Sequence, residues 1–175
     1  MILKSISHKK LNFRGLLEYI FSEHNLPTPD GLERFVWRKN MVESEKVEEL
    51  TNDFLQNEAL RIHNRANVNR LYHEVLSFHP DSHPNTDTLK DILQQYSKLR
   101  GESKMVAVPH YSESHCHLHI LVSGVEVGSG RANRLSKHEF NQMQQTLNNY
   151  QVEKYPELSE SYVNYSKKDR SRVSD

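Results

Sequence analysis

Histidines alternate with other residues along one short segment of the chain. Four of the eleven histidines fall within residues 110–119, and His115, His117 and His119 occupy every second position. In a β-strand, side chains two residues apart project from the same face. Three imidazoles on one face are too polar for an apolar core, but they can act together as nitrogen ligands. The pattern therefore predicts a strand that presents histidines at a functional site.

A second strand is expected just before the histidines. Residues 105–108 are apolar, and another apolar run, residues 120–122, follows the histidines. A hairpin of these two strands returns His110 to the face that carries His117 and His119. Three neutral imidazole nitrogens can hold a divalent metal and leave coordination positions open for a substrate.

The composition is that of one soluble domain. The 175 residues are 35% hydrophobic and 26% charged with no net charge, so charge alone gives no argument for nucleic-acid binding. We place a single domain at residues 1–160 and a polar, flexible tail at residues 161–175. No apolar run approaches the ~20 residues of a membrane span, and no signal-peptide pattern opens the chain. A single cysteine, Cys116, fits a reducing compartment, so we expect a cytoplasmic protein.

Hydrophobic periodicity predicts elements in the order β-α-β-α-β-α-β-β-α. Apolar helical stripes lie within residues 13–20, 47–54, 89–99 and 140–147, and short strands are expected at residues 1–6, 35–37 and 71–79. Ser44 and Ser136 are expected helix N-caps, Gly101 a C-cap, and residues 124–130 a turn. This order predicts an α+β fold, a single antiparallel sheet with helices packed on it.

One tyrosine lies beside the first helical stripe rather than within it. At 100° per residue, Tyr19 is displaced by roughly 110° from the centre of the stripe formed by Phe13, Leu17 and their neighbours. Its side chain can therefore reach a cleft at the edge of the helix. Tyr96, in contrast, lies on the inner face of its helix and is expected in the core.

Two known families carry clustered histidines of this kind. Residues 115–121 fit the His-x-His-x-His-x-x pattern of the histidine-triad nucleotide hydrolases and transferases, and that resemblance implies a nucleophilic His117 and no metal. The spacing of His110, His117 and His119 is similar to the third motif of the conjugative relaxases, the mobilisation nucleases of the HUH endonuclease superfamily.

Further segments resemble relaxases alone. Residues 13–20 resemble the first relaxase motif, a helix that presents the nucleophilic tyrosine, here Tyr19. Residues 73–78 resemble the second motif, a strand that ends in Leu-Ser and an aromatic residue. Residues 150–161 resemble the closing part of a mobilisation-type relaxase domain. The resemblance spans nearly the whole chain, with its motifs in order, and favours the relaxase family.

The resemblance to relaxases implies both the fold and the chemistry. It implies an HUH-type α+β domain and a metal-dependent, site-specific single-stranded DNA endonuclease and strand transferase, which nicks an origin of transfer through a 5′-phosphotyrosine. The implied ligands His110, His117 and His119 hold Mg²⁺ or Mn²⁺, and an all-histidine set also accepts Zn²⁺. The implied partners are single-stranded DNA at the origin of transfer and accessory proteins of the relaxosome.

The chain departs from the family pattern in places. Ser112 stands where relaxases often have an aspartate, and Glu113 or Glu74 is a candidate substitute as hydrogen-bond acceptor for a histidine. Glu74 is also a candidate substrate contact. Ser77 is a candidate contact with DNA near the scissile phosphate, and His115 a candidate ligand or substrate contact. Three alternatives stay open: a histidine-triad nucleotidyl hydrolase, an HUH replication initiator or transposase with the same chemistry, and a non-catalytic DNA-binding accessory protein.

Overall fold

The elements follow one another in the predicted order. The computed structural model describes residues 1–24, 28, 29, 31–111 and 116–164. A short 3₁₀ helix, Pro156–Ser161, follows the last α-helix. The elements before it are β1 (Ile2–His8), α1 (Phe13–His24), β2 (Trp37–Lys39), α2 (Val47–Ala59), β3 (Leu71–Ser77), α3 (Thr86–Arg100), β4 (Ser103–Tyr111), β5 (Cys116–Glu126) and α4 (Lys137–Lys154).

The five strands form one antiparallel sheet in the order β1-β3-β5-β4-β2. The predicted α+β fold with a single antiparallel sheet is therefore confirmed. Strand β5 occupies the centre, between β3 and β4. Its register places His117 opposite Ser77 on one side and opposite His110 on the other. Residues directly opposite each other share a face of the sheet, so these three side chains project in the same direction.

Each face of the sheet is covered by a pair of helices. Helices α1 and α2 cover the face that carries the histidines, which we call the α1–α2 face; its buried apolar residues are Phe13, Leu17, Ile20, Leu50, Phe54, Leu71, Val106, Val108 and Leu121. Helices α3 and α4 cover the α3–α4 face, whose larger core includes Leu76, Leu89, Ile92, Tyr96, Leu118, Ile120 and Leu147. Within the described residues, none of the helices has the length and apolar character needed to cross a membrane.

Helix α1 is anchored by its apolar stripe. Phe13 stacks on Phe54 of α2, with ring centroids 5.0 Å apart and 6° between the ring planes. Leu17 and Ile20 are fully buried. Tyr19 lies off this stripe and is 46% exposed, in agreement with its helical spacing. The packing of the helix thus places Tyr19 at the helix edge, over the sheet.

Two of the three predicted helix caps are present. Ser136 and Glu139 form a reciprocal capping box at the start of α4, and Gly101, with φ of 95°, ends α3. The prediction that Ser44 caps α2 is wrong. The helix begins after Lys46, and the Ser44 hydroxyl instead accepts a hydrogen bond from the Lys46 backbone at 3.0 Å, within the preceding turn.

Some strand ends differ from those predicted. Strand β2 begins two residues later than expected, and β3 ends two residues earlier, at Ser77. Strand β5 continues through Gly124 to Glu126, where a turn was expected. A Cβ atom at Gly124 would collide with the backbone carbonyl of Asn69. Glycine is therefore required here because two backbone segments pass close to each other. Local sequence does not distinguish that use of glycine from a turn.

Packing contacts continue beyond residue 160. The Ser161 hydroxyl accepts a hydrogen bond from the His79 backbone and donates one to Ser82, both at 2.8 Å. The backbone N–H of Val163 donates to Asn148 at 3.3 Å. The first residues of the predicted tail, 161–175, therefore contact the domain, and residues 165–175 lie outside the described residues.

Candidate metal centre and active site

Three histidines meet on the α1–α2 face, at one end of the β4–β5 hairpin. Antiparallel pairing places His110 directly opposite His117, and alternation along β5 places His119 on the same face. One ligand atom from each ring lies within 4.8 Å of the others. The structure thus brings together the three histidines expected from the sequence, and their role as metal ligands stays a prediction.

Helix α1 orients the ring of His110. The Nε2 atom of His110 lies 2.7 Å from the carbonyl oxygen of Ile20. Because a carbonyl oxygen only accepts hydrogen bonds, Nε2 carries the proton, and in a neutral ring Nδ1 carries the lone pair. A backbone carbonyl behind a metal-binding imidazole commonly fixes its tautomer in this way.

Strand β3 adds a fourth imidazole, which the sequence analysis did not assign to the site. Nε2 of His73 lies 2.7 Å from Nδ1 of His119, and the rings stack with centroids 4.9 Å apart. The available signal was the spacing from His73 to Ser77, which puts both residues on one strand face. The contact with His119 also needs the pairing of β3 with β5, a long-range contact that periodicity does not reveal.

Burial keeps the central imidazoles neutral. His119 and His73 are 4% and 7% exposed. Burial lowers the pKa of His119 to about 2, and the neighbouring histidines lower it further through charge repulsion. Burial likewise lowers the pKa of His73 to about 4, with smaller contributions from His8 and His110. The neutral imidazole is the form that binds a metal ion.

One ring nitrogen of this cluster points to a missing partner. Nε2 of His119 is buried, and the described residues provide no hydrogen bond to it. Buried polar atoms in native proteins nearly always have a partner. A cation bound at the cluster satisfies this atom, and imidazole nitrogens suit several divalent transition metals. The residues present therefore fit a divalent metal ion.

Tyr19 reaches the same cluster from helix α1. Its ring centroid lies 5.7 Å from that of His119 and 6.1 Å from that of His73, with an edge-to-face orientation in both contacts. The side chain is 46% exposed, so the tyrosine packs against the histidines and also faces solvent. The Tyr19 ring and the histidine cluster thus lie side by side on the α1–α2 face.

The other predicted site residues have different locations. Ser77 lies opposite His117 on the α1–α2 face, at the end of β3. Glu113 and His115 lie outside the described residues. Glu74 follows His73 in β3 and therefore projects from the α3–α4 face. The structure does not bring Glu74 to the histidines, and the expectation that it accepts a hydrogen bond from one of them is wrong.

Glu74 instead belongs to a buried polar network on the α3–α4 face. Its carboxylate accepts hydrogen bonds from Tyr96 at 2.5 Å, from Arg100 at 3.1 Å and from Ser5 at 3.1 Å. Arg100 also donates to Asn133 at 2.8 Å. Tyr96 is fully buried, as expected from its helical position. This network joins helix α3 to the sheet.

Comparisons with known proteins relate this chain to relaxases. The family model for the relaxase nuclease domain of the MobA/VirD2-like type matches residues 19–155. Among solved structures, the MobM relaxase domain (MOBV; Mob_Pre) bound to a 26-nucleotide pMV158 oriT DNA is similar, with a TM-score of 0.61 and 14% identity over 99% of this chain and 95% of that chain. This likeness shows a shared fold. No curated protein matches the sequence.

The family match covers every part of the site described above. It begins at Tyr19 and includes strand β3 and the hairpin that carries His110, His117 and His119. The match distinguishes the chain from the histidine-triad hydrolases, which share the histidine pattern alone. The resemblance drawn from the sequence is confirmed, and the chain belongs to the MobA/VirD2-like relaxase family, which it matches through the nuclease domain.

Proposed function

We propose that this chain is a metal-dependent, site-specific endonuclease and strand transferase that acts on single-stranded DNA at an origin of transfer. One observation carries the proposal: the centroid of the Tyr19 ring lies 5.7 Å from that of the His119 ring. His119 belongs to the histidine cluster, in which one nitrogen atom of each of the three rings lies within 4.8 Å of the others. This proximity supports a site that combines a tyrosine nucleophile with a bound cation. The MobM domain with the same fold is bound to oriT DNA, which supports this class of substrate.

His110, His117 and His119 are the proposed ligands of the metal ion. Three neutral imidazoles leave the ion its full 2+ charge, and polarisation of the non-bridging oxygens of the scissile phosphate is the chemistry that a bound ion supplies here. The family resemblance favours Mg²⁺ or Mn²⁺, and the all-imidazole donor set is also suited to Zn²⁺.

Tyr19 is the proposed nucleophile. Its hydroxyl oxygen attacks the phosphorus atom in line, the bond from phosphorus to the 3′ oxygen breaks, and the products are a 5′-phosphotyrosine and a free 3′-hydroxyl. The phenol loses one proton, and the departing 3′ oxygen gains one, so a base of the site must transfer a proton between them. The covalent bond conserves the phosphodiester, and the reverse reaction therefore rejoins strands.

Two further residues are proposed to contact the DNA. The hydroxyl of Ser77 lies on the same face as His117 and can donate a hydrogen bond to a phosphate oxygen near the scissile bond. His115 precedes the strand that carries His117 and is proposed as a further ligand or substrate contact. Relaxosome accessory proteins are the proposed protein partners at the origin of transfer.

A random-sequence pool of single-stranded DNA tests the proposal without knowledge of the nick site. The purified protein is incubated with the pool and Mn²⁺, denatured, and separated from DNA that is not covalently attached. We expect a covalent adduct, in which mass spectrometry of the digested protein finds a nucleotide on the peptide that contains Tyr19. Sequencing of the captured DNA then identifies the sequence on the 3′ side of the nick.

Two tyrosine substitutions control this experiment. Tyr19→Phe should remove the adduct and retain DNA binding. Tyr162→Phe should leave the adduct unchanged, since Tyr162 is similarly exposed, at 49%, and follows the last helix. An adduct that persists in Tyr19→Phe contradicts the proposed nucleophile. DNA binding without an adduct in the wild type indicates the accessory protein instead.

A further inference from the structure

A hydrogen bond between two imidazoles lies behind the proposed metal ligands. Nε2 of His73 is 2.7 Å from Nδ1 of His119, and both rings are buried. One of these nitrogens carries the proton and the other the lone pair, because a hydrogen bond needs one donor and one acceptor. In a neutral ring, the direction of this bond determines whether Nε2 of His119 carries a proton or a lone pair.

The surroundings of His119 favour one direction. Its Nε2 atom is buried and has no hydrogen-bond partner in the part of the chain that the structure describes. If Nδ1 of His119 accepted the bond from His73, a neutral ring would carry its proton on Nε2, and a buried N–H would point to no acceptor. If Nδ1 donates, Nε2 carries a lone pair. Only this second arrangement lets all three rings of the cluster offer a lone pair to one cation.

We infer that His73 is a positioning residue, which accepts a hydrogen bond from Nδ1 of His119 and thereby holds His119 in the tautomer that binds metal through Nε2. The inference rests on the proposed metal centre. Helix α1 fixes the tautomer of His110 as well: the carbonyl oxygen of Ile20 lies 2.7 Å from Nε2 and leaves the lone pair on Nδ1. Both orienting contacts come from elements outside the β4–β5 hairpin, so the hairpin alone does not define the site.

An imidazole acceptor has a chemical consequence at this position. Metal-bound histidines are usually backed by a carboxylate, a carbonyl oxygen or water. A carboxylate behind His119 would add a negative charge close to the cation. His73 supplies the acceptor without that charge, so the positive charge of the ion stays available to the phosphate of the substrate.

Two substitutions at His73 test whether the hydrogen-bond acceptor or the imidazole ring itself is required. His73→Gln retains an acceptor, the side-chain amide oxygen, whereas His73→Leu fills a similar volume without one. In the metal-free protein, ¹⁵N NMR of the ring nitrogens reports the tautomer of His119 directly. We expect a single Nδ1–H tautomer in the wild type and in His73→Gln, and a mixture of tautomers in His73→Leu.

A Mn²⁺ titration of the same proteins measures the effect on the metal. His73→Leu should weaken Mn²⁺ binding by about 10- to 100-fold, and His73→Gln by no more than about threefold, as expected for loss or retention of an orienting contact. In a His119→Ala background, His73→Leu should cause no further loss. Urea unfolding of the metal-free variants identifies any general folding defect.

The outcomes distinguish this role from others. Wild-type Mn²⁺ affinity together with a single Nδ1–H tautomer in His73→Leu overturns the inference. An equal loss of affinity in the Gln and Leu variants also overturns it, because the imidazole itself would then be required. A wild type that binds no metal contradicts the proposed metal centre, whereas the tautomer measurement still decides the role of His73. The two failures are therefore distinguishable.

Discussion

The two faces of the sheet each bury a polar cluster, and the two clusters differ in how their atoms are satisfied. On the α3–α4 face, Glu74 accepts three hydrogen bonds, and its partner Arg100 also donates to Asn133. On the α1–α2 face, burial lowers the pKa of His73 and of His119, and Nε2 of His119 has no partner among the described residues. Polar burial is common to both faces, so burial alone does not identify the functional one.

The difference separates a polar cluster that stabilises the fold from one that is proposed to bind a ligand. The oxygens of the Glu74 carboxylate already accept hydrogen bonds within the protein and have little capacity left to bind a substrate. The carboxylate therefore has a structural role. A buried nitrogen without a partner is costly unless a ligand arrives to pair with it. The four predictions below test this division between the faces, from the largest expected effect to the smallest.

Loss of the ion pair on the α3–α4 face should have the largest effect on stability. Arg100→Met leaves the Glu74 carboxylate buried without its cation, and breaking a buried pair costs about 3–5 kcal/mol of unfolding free energy. Urea unfolding measures this loss. The double variant Arg100→Met/Glu74→Gln should be more stable than Arg100→Met. Metal affinity should not change in either folded variant, and a change would contradict the separation of the two faces.

Removal of one histidine should abolish stabilisation by metal while leaving the metal-free protein nearly unchanged. At a Mn²⁺ concentration one hundred times Kd, binding to the native state adds about 2.7 kcal/mol of stability. His117→Ala should lose this increment, because the cluster then offers two of its three nitrogens. Thermal unfolding with and without Mn²⁺ is the measurement. An increment retained in His117→Ala would place the metal elsewhere.

Acid should destabilise the metal-free protein through the α1–α2 face. Histidine has a pKa near 6.5 in the unfolded chain, whereas the folded values are about 4 for His73 and about 2 for His119. As the pH falls below 6.5, the unfolded chain takes up protons that the folded protein excludes. The contribution of these two histidines to the unfolding free energy is therefore largest above pH 6.5 and decreases from there towards pH 4.

A substitution at His73 sharpens this pH prediction. His73→Gln removes one of the two titrating groups and should reduce the slope between pH 6 and 5 by about 1 kcal/mol per pH unit. Chemical unfolding at a series of pH values gives both slopes. Identical slopes in the wild type and the variant would show that His73 is not a neutral buried group.

Loss of the weakest partner of Glu74 should have the smallest effect. Ser5→Ala removes one hydrogen bond to a carboxylate that keeps Arg100 and Tyr96, and Ser5 itself is exposed, so we expect a loss of about 0.5 kcal/mol. Ser7→Ala is the matched control on the same strand face, with no expected change. A loss above about 2 kcal/mol in Ser5→Ala would show that the remaining partners do not sustain the carboxylate.

The fold could be predicted further than the site. Element order follows from local periodicity, and the capping box at Ser136 and the C-cap at Gly101 follow from local chemistry. The His110–His117 pairing could be predicted as well, because a hairpin joins neighbouring strands. The role of Gly124 could not be predicted, since it depends on a close approach to the distant backbone of Asn69.

The neighbours on β3 show why the rest of the site was missed. Alternation requires His73 and Glu74 to face opposite sides of the sheet. Which of them meets the histidines of β5 is decided by the β3–β5 register, with His73 on the side of His119. This register joins residues as far apart in the sequence as His73 and His119, which are separated by 46 positions. No local sequence pattern predicts it. A carboxylate was expected behind the histidine, and an imidazole is found there.

The hydrogen bond from His110 to Ile20 joins residues that are 90 positions apart. Ile20 directly follows Tyr19, so one helix carries the proposed nucleophile and orients a proposed ligand. At a synthesis rate of about 5–20 residues per second, the tyrosine leaves the ribosome roughly 5 to 20 seconds before that histidine. A nascent chain therefore contains the proposed nucleophile several seconds before it contains the proposed metal ligands of the hairpin. The proposed cleavage of DNA therefore requires that the hairpin has been made and has packed against the first helix.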